Sequence, residues 1–480
     1  MNSYVKQRIK SIVGGDNFTD LHEDLLCYSY DGTALLHQLP EAVVFPENEE
    51  QISLILKLAN EELFNVVPRG SGTGLSGGSI PVESSLVVVM TKWDKILEVD
   101  TRNLTVTVQP GVITAKLQSE VEKKGLFYPP DPGSSNVCTI GGNVANNAGG
   151  LRGMKYGVTK NYILGTEMIL PNGELLITGG KNVKDVAGYN LRDFIVGSEG
   201  TLGIITKIIL KLIPSPTKSI TILAYFNRLS DCALAVSDII AAHITPCMME
   251  FLDNTTINCV EDYANIGLPR SSEALLLVEV DGRGSIVEED AETIKIILGK
   301  SNAAGVKIAS SFEEANKLKT ARRSAFSALA RKRPTTILED ATVPRSELPI
   351  MMEKVTQAAR LFNVTFGNFG HAGDGNLHPT CLTDERDNKE IENAHKAFDF
   401  IMNEAIKLGG TITGEHGTGL AKMKFLEKLA GVPGLEMMKK IKCAIDVNNI
   451  LNPGKIFSIG PRCESPLPLR QDQIKKYQNL

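Results

Sequence analysis

The chain has 480 residues, 42% hydrophobic and 22% charged, with 51 Lys plus Arg against 56 Asp plus Glu and a net charge of −5. That length exceeds one ordinary core, and the composition excludes a disordered chain. Without a basic excess, nucleic-acid and membrane-surface binding are excluded too.

No apolar run approaches the roughly 18 residues of a membrane helix, and the N-terminus lacks the apolar stretch of a secretory signal. The eight cysteines (27, 138, 232, 247, 259, 381, 443 and 463) are scattered. No spacing among them encodes a zinc ribbon or an iron–sulfur site, so reduced thiols in a cytoplasmic protein are expected.

In chain order, residues 3–36 form a helical lead-in, and AVVFP at 42–46 is a strand. Asn48 caps a helix over 48–60, because Ile52, Ile55, Leu56 and Ala59 recur at helical spacing. NVVPRG and SLVVVM are further strands, and residues 96–112 fold as a hairpin turning at Thr101–Asn103. Pro214 and Pro216 mark a linker. Beyond it ITILAYF and EALLLVEVDG alternate with helices near 229–242 and 289–298, a second strand–helix–strand unit. The fold class is α+β.

Glycine is the anomaly: 22 of the 43 glycines lie between Asn65 and Ile205. PRGSGTGLSGG (68–78) interleaves glycine with Ser71, Thr73 and Ser76, so backbone N–H groups can converge on an anion, with Arg69 adding charge. It ends without the GK[ST] of a P-loop. PPDPGSSNVCTIGGNVANNAGG (129–150) offers a helix start at Thr139–Asn143 and paired amides at Asn146 and Asn147. GSEGTLGIIT closes the third segment, where Gly197, Gly200 and Gly203 allow tight approach. One extended nucleotide touched by all three is more economical than three unrelated flexible loops.

PRGSGTGLSGG, TIGGNVANNAGG and GSEGTLGIIT, in this order, resemble the FAD-binding domain of the vanillyl-alcohol oxidase and p-cresol methylhydroxylase (PCMH) superfamily. The resemblance implies a two-lobed FAD domain over 37–216, following the lead-in at 1–36. It also implies an α+β, ferredoxin-like substrate or cap domain over 217–457 with a helical C-terminal segment; the Pro-containing tail at 458–480 is expected to be frayed. The diphosphate would lie on Pro68, Arg69, Gly70, Ser71, Gly72, Thr73 and Gly74. The flavin would lie near Asp131, Ser134, Thr139, Gly141, Gly142, Asn143, Asn146 and Asn147. The adenine would lie near Gly200 and Ile204. Some relatives attach FAD through a His or Cys near the first loop; that loop has neither here, so FAD is expected to be non-covalent.

Three of the seven histidines lie in two compact motifs, GNFGHAGDGNLHP and GEHGTG. His371 and His378 flank a Gly-Asp-Gly turn that lets both imidazoles address one centre. Glu415 would complete a two-His, one-carboxylate set suited to a divalent cation, zinc, manganese or iron. His416 would stand beside the metal, free to act as a base. These motifs resemble the C-terminal signature of the D-2-hydroxyacid dehydrogenase branch, which includes D-lactate dehydrogenases, the flavin subunit of glycolate oxidase and D-2-hydroxyglutarate dehydrogenase. The likeness extends over 28–457. It implies Arg322 for the substrate carboxylate and, in LNPGK, Asn452 near the isoalloxazine. Leu338 stands where the hydroxyglutarate enzymes resemble one another in carrying a lysine, which favours a small monocarboxylate.

The expected activity is oxidation of D-lactate or glycolate to the 2-oxo acid, with the electrons leaving to an iron–sulfur subunit or an electron-transferring flavoprotein. D-2-hydroxyglutarate oxidation, an ether-lipid synthase without the metal set, and a non-catalytic flavin-carrying subunit remain open. So do a homodimer and membrane association through a partner; no integral membrane segment and no nucleic acid are expected.

Overall fold

β-branched runs make the first sheet of the computed structural model, which describes residues 1–459 and Cys463. Ala42–Val44, Ser85–Val89 and Asn65–Arg69 lie parallel in that order, with Phe18–Thr19 added antiparallel at the edge. The lead-in is therefore two helices, Ser3–Val13 and His22–Cys27, with a strand between them. The helix Glu49–Glu62 makes the parallel crossover. Asn48 Oδ1 accepts the Gln51 N–H at 2.9 Å, and Ile52, Ile55, Leu56 and Ala59 are buried as their spacing requires. Each of the three larger side chains, Ile52, Ile55 and Leu56, contributes about 1.5–3 kcal/mol of burial.

A second, antiparallel sheet runs Ile96–Asp100, Thr105–Val108, Ile204–Lys211, Ile163–Ile169, Leu175–Gly179. Its first pair is the expected hairpin, where Asp100 Oδ1 accepts the N–H groups of Arg102 and Asn103.

The third sheet has eight strands. Seven follow the order Gly305–Ile308, Lys218–Phe226, Ala274–Gly282, Met248–Asp253, Thr365–His371, Asn376–Thr383, Thr335–Leu338, and Ala341–Thr342 pairs alongside Asn376–Thr383. Helices Leu229–Ala241, Ile286–Lys300, Leu348–Phe362 and Asn388–Lys407 contribute to its core. The chain then runs through the GEHGTG loop and a helical stretch, Met423–Ile445, bent at Gly431. It returns to the first sheet, where Leu451 bridges to Val66 and the Asn452 N–H donates to Val66 O at 2.7 Å.

Six cysteines are free, but Cys443 and Cys463 form a disulfide, against the expectation of reduced thiols throughout. They lie twenty residues apart in sequence, with their Cα atoms 5.3 Å apart. The expected fraying of 458–480 falls, apart from 458, 459 and Cys463, outside the described residues. No described helix is long and apolar enough to cross a membrane.

Candidate active site

The three glycine segments pack on one another. A Cβ on Gly70 would stand 2.4 Å from Thr139 Oγ1, joining the first segment to the second. A Cβ on Gly200, where φ is +70°, would stand 2.7 Å from Pro68, joining the third to the first. Ser71 Oγ donates to Val137 O at 2.7 Å. Arg69 folds back over its own loop, and burial pushes its guanidinium pKa down from the usual value.

Between these segments lies a cavity of about 470 Å³. Its wall includes Pro68 and the run Arg69–Gly74, then Ser134, Thr139, Gly141, Gly142, Asn143 and Asn146, then Gly200 and Ile204. A trough of this volume, walled by glycine backbone and short hydroxyl side chains, fits a nucleotide laid along it. Three expected residues are not on the wall. Asp131 is buried in a pair with Arg323 at 2.6 Å, with Arg152 3.8 Å away. Asn147 closes the helix Ile140–Asn146 in a left-handed turn and accepts the Lys160 N–H. Asn452 is buried behind the wall, donating to Gly78 O at 2.9 Å and Glu199 O at 2.7 Å.

The other end of the cavity is lined by Arg322, His371, His378, Glu415 and His416. Strand register brings the first histidines together. Phe369 and His371 share a face of their strand, and His378 pairs opposite Phe369 on the neighbouring strand, so both imidazoles emerge on one side. Their rings lie 5.1 Å apart at 88°. Glu415 Oε1 is 3.0 Å from His371 Nε2 and 3.3 Å from His378 Nε2. Burial pushes the Glu415 carboxyl up, but the two imidazoles outweigh it and hold the group well below the usual carboxylate range. Two imidazole nitrogens and a carboxylate oxygen, all within 4.8 Å of one another, are a donor set that fits a divalent cation. Asp340, His378 and His416 also meet that distance, but Asp340 Oδ2 is already engaged.

Asp340 shapes the GEHGTG loop. Its Oδ2 accepts from Thr413 Oγ1 at 2.8 Å and from the N–H groups of Gly414, Glu415 and His416 at 2.8–3.0 Å. Burial raises its pKa, but its neighbours His416 and Lys422 outweigh that and hold it low. His416 stacks on His378 at 5.0 Å, with Nε2 4.0 Å from Glu415 Oε1 and Nδ1 3.9 Å from Asp340 Oδ2. Burial, only partly opposed by Asp340, pushes the imidazole down to about 4, so it is neutral at pH 7.

Sequence reasoning missed Glu199, Glu250 and Asp340. Glu199, at φ +51°, lines the cavity, and its carboxylate accepts the N–H groups of Thr418 and Gly419, both at 2.7 Å. Burial pushes it up to about 7 against those donors. Only a charged residue flanked by Met248, Met249, Phe251 and Leu252, in MMEFLD, could have drawn attention to Glu250. Leu338, Phe326 and Phe369 are among the apolar residues that line the cavity.

The chain matches two family descriptions: "FAD binding domain" over residues 40–179 and "FAD linked oxidases, C-terminal domain" over residues 215–456. It is 52% identical to glycolate oxidase subunit GlcD of Bacillus subtilis, with 95% of this chain and 97% of that one covered. It is 36% identical to D-lactate dehydrogenase of Archaeoglobus fulgidus, covering 86% and 90%. Among solved structures, p-cresol methylhydroxylase with substrate bound superposes with a TM-score of 0.78 at 17% identity, covering 95% and 96%, a likeness of fold.

Proposed function

The chain belongs to the FAD-linked oxidase family, and from that premise we propose that it oxidises a small D-2-hydroxy acid, D-lactate or glycolate, to the 2-oxo acid. It is an FAD-dependent hydroxyacid dehydrogenase. Bound FAD supplies a two-electron acceptor for the hydride leaving Cα of the substrate. A divalent cation held by His371, His378 and Glu415 would supply a Lewis acid that lowers the pKa of the substrate hydroxyl.

Arg322 pairs with the substrate carboxylate and fixes which end of the molecule faces the histidines. His416, neutral at pH 7, takes the hydroxyl proton at Nε2, its nitrogen on the Glu415 side. Asp340 faces Nδ1 and supports the imidazolium that results. Leu338, Phe326 and Phe369 leave little reason for a second carboxylate to enter and suit a hydrogen or methyl group at Cα. The electrons leave to a separate protein, an iron–sulfur subunit or an electron-transferring flavoprotein. Two relatives are themselves described as a glycolate oxidase subunit.

The observation that carries this reading is that His416, the His371–His378–Glu415 set and Arg322 line the same cavity as the glycine segments. The test is anaerobic mixing with D-lactate, L-lactate, glycolate and D-2-hydroxyglutarate while following the flavin band. Bleaching by D-lactate or glycolate, abolished by chelation and restored by added cation, is expected. Flavin that no hydroxy acid bleaches would leave only a non-catalytic, flavin-carrying role.

A further inference from the structure

Glu250 lies in the strand Met248–Asp253, among Met248, Met249, Phe251 and Leu252, and is 0% exposed. An isolated carboxylate in such surroundings is costly, and a well-packed apolar residue would serve the core at least as well. The side chain is not isolated. Its register partner on the adjacent strand is His371, whose Nδ1 lies 2.8 Å from Oε1 and 3.0 Å from Oε2. On its other side Arg322 Nη2 stands 2.6 Å from Oε2. One buried carboxylate thus touches both a histidine of the candidate metal set and the arginine assigned to the substrate carboxylate.

The consequences at each partner follow from donor chemistry. A carboxylate that accepts the Nδ1–H leaves the His371 lone pair on Nε2, the nitrogen facing Glu415 at 3.0 Å. Arg322 is 5% exposed, its guanidinium 4.8 Å over the Phe369 ring, and its Nε has no hydrogen-bond partner among the described residues. Glu250 is the one anion within ion-pair distance of it among the described residues. Asp131, by contrast, holds the neighbouring Arg323.

We propose that Glu250 is a positioning residue that sets the metal-facing tautomer of His371 and the orientation of Arg322 together. The hydroxyl and carboxylate ends of the substrate are thereby held at one spacing. The inference rests on the function proposed above and adds to it a residue that touches neither substrate nor flavin.

The test compares FAD-loaded wild type with Glu250→Gln and Glu250→Asp. Cation affinity is measured by competition with a chromogenic chelator, and steady-state kinetics are measured at saturating cation. Glutamine still accepts from Nδ1 but turns an amide N–H toward Arg322. Its cation Kd is expected to rise about 10- to 100-fold, with KM for the hydroxy acid raised more than kcat is lowered. Aspartate, one methylene shorter, should recover part of the cation affinity.

A purely structural role predicts a lower Tm with unchanged Kd and KM, and that result overturns the inference alone. Wild type that takes up no stoichiometric cation overturns the metal reading and this inference with it. If Glu250→Gln does not fold, Glu250→Asp carries the same decision, since wild-type Kd and KM in that protein also overturn it.

Discussion

His416 shows how surroundings set the protonation of an imidazole. A free imidazole is part-charged near neutrality, whereas burial holds this one down near 4 despite the Asp340 carboxylate. Replacing it by alanine should lower the rate of flavin reduction about 10²- to 10⁴-fold, with FAD content unchanged, as followed by stopped-flow absorbance. Glu199 is the opposite case, a carboxyl raised to about 7 by burial. Because its folded pKa exceeds its unfolded one, the folded chain binds more protons between about 4.5 and 7. The stabilisation is complete below about 4.5 and is lost as pH rises through 7. In the apoprotein, Tm plotted against pH over that window should therefore fall more steeply for wild type than for Glu199→Gln. The GEHGTG histidine was legible in sequence because glycine crowding and its neighbouring carboxylate mark it. Glu199 was not, because its carboxylate serves a loop 219 residues away.

Among elements, the strands and helices with strong local periodicity were readable, including the capped helix after Asn48 and the hairpin at Thr101–Asn103. The strand Met248–Asp253 was not singled out, since a short run buried on both faces shows no alternation of its own. The loops carry the clearest consequences. Gly200 sits at φ +70° against Pro68, so Gly200→Ala combines a left-handed backbone costing about 1–2 kcal/mol with a collision. FAD retention through gel filtration should drop in that variant. Asp340→Asn places a neutral amide where the Oδ2 of a carboxylate met three backbone N–H groups and a hydroxyl. A loss of about 3 kcal/mol is expected from breaking a buried charged network, read as a lower urea midpoint, together with slower flavin reduction.

For the whole molecule, the decisive feature is that the nucleotide trough and the histidine centre open into one cavity. The pieces come from far apart: Ser76 Oγ and Asn146 Nδ2 both donate to His416 O, at 3.0 and 3.3 Å. Asp131 ties the same regions from the other side through Arg323, so its placement there, away from the cavity wall, is a matter of assembly. Substrate choice also belongs to this scale, because Leu338 matters only as part of the cavity wall it shares with the histidines. Leu338→Lys should raise the ratio of kcat/KM for D-2-hydroxyglutarate over D-lactate by at least about tenfold, since a desolvated cation rewards a second carboxylate. An unchanged ratio would remove Leu338 from substrate selection.

The sequence by itself determined the chemistry available: glycine where backbone must approach a nucleotide, and two histidines, a glutamate and an arginine of the types that bind cations and carboxylates. Local order and residue type carry that information, because turn conformation and donor identity are properties of short segments. Only the tertiary structure decided that Glu250 stands between His371 and Arg322, that Asp340 gathers the GEHGTG loop, and that Asp131 and Asn452 lie behind the cavity wall. Those facts depend on strand register and on contacts between segments tens to hundreds of residues apart, which no local pattern encodes.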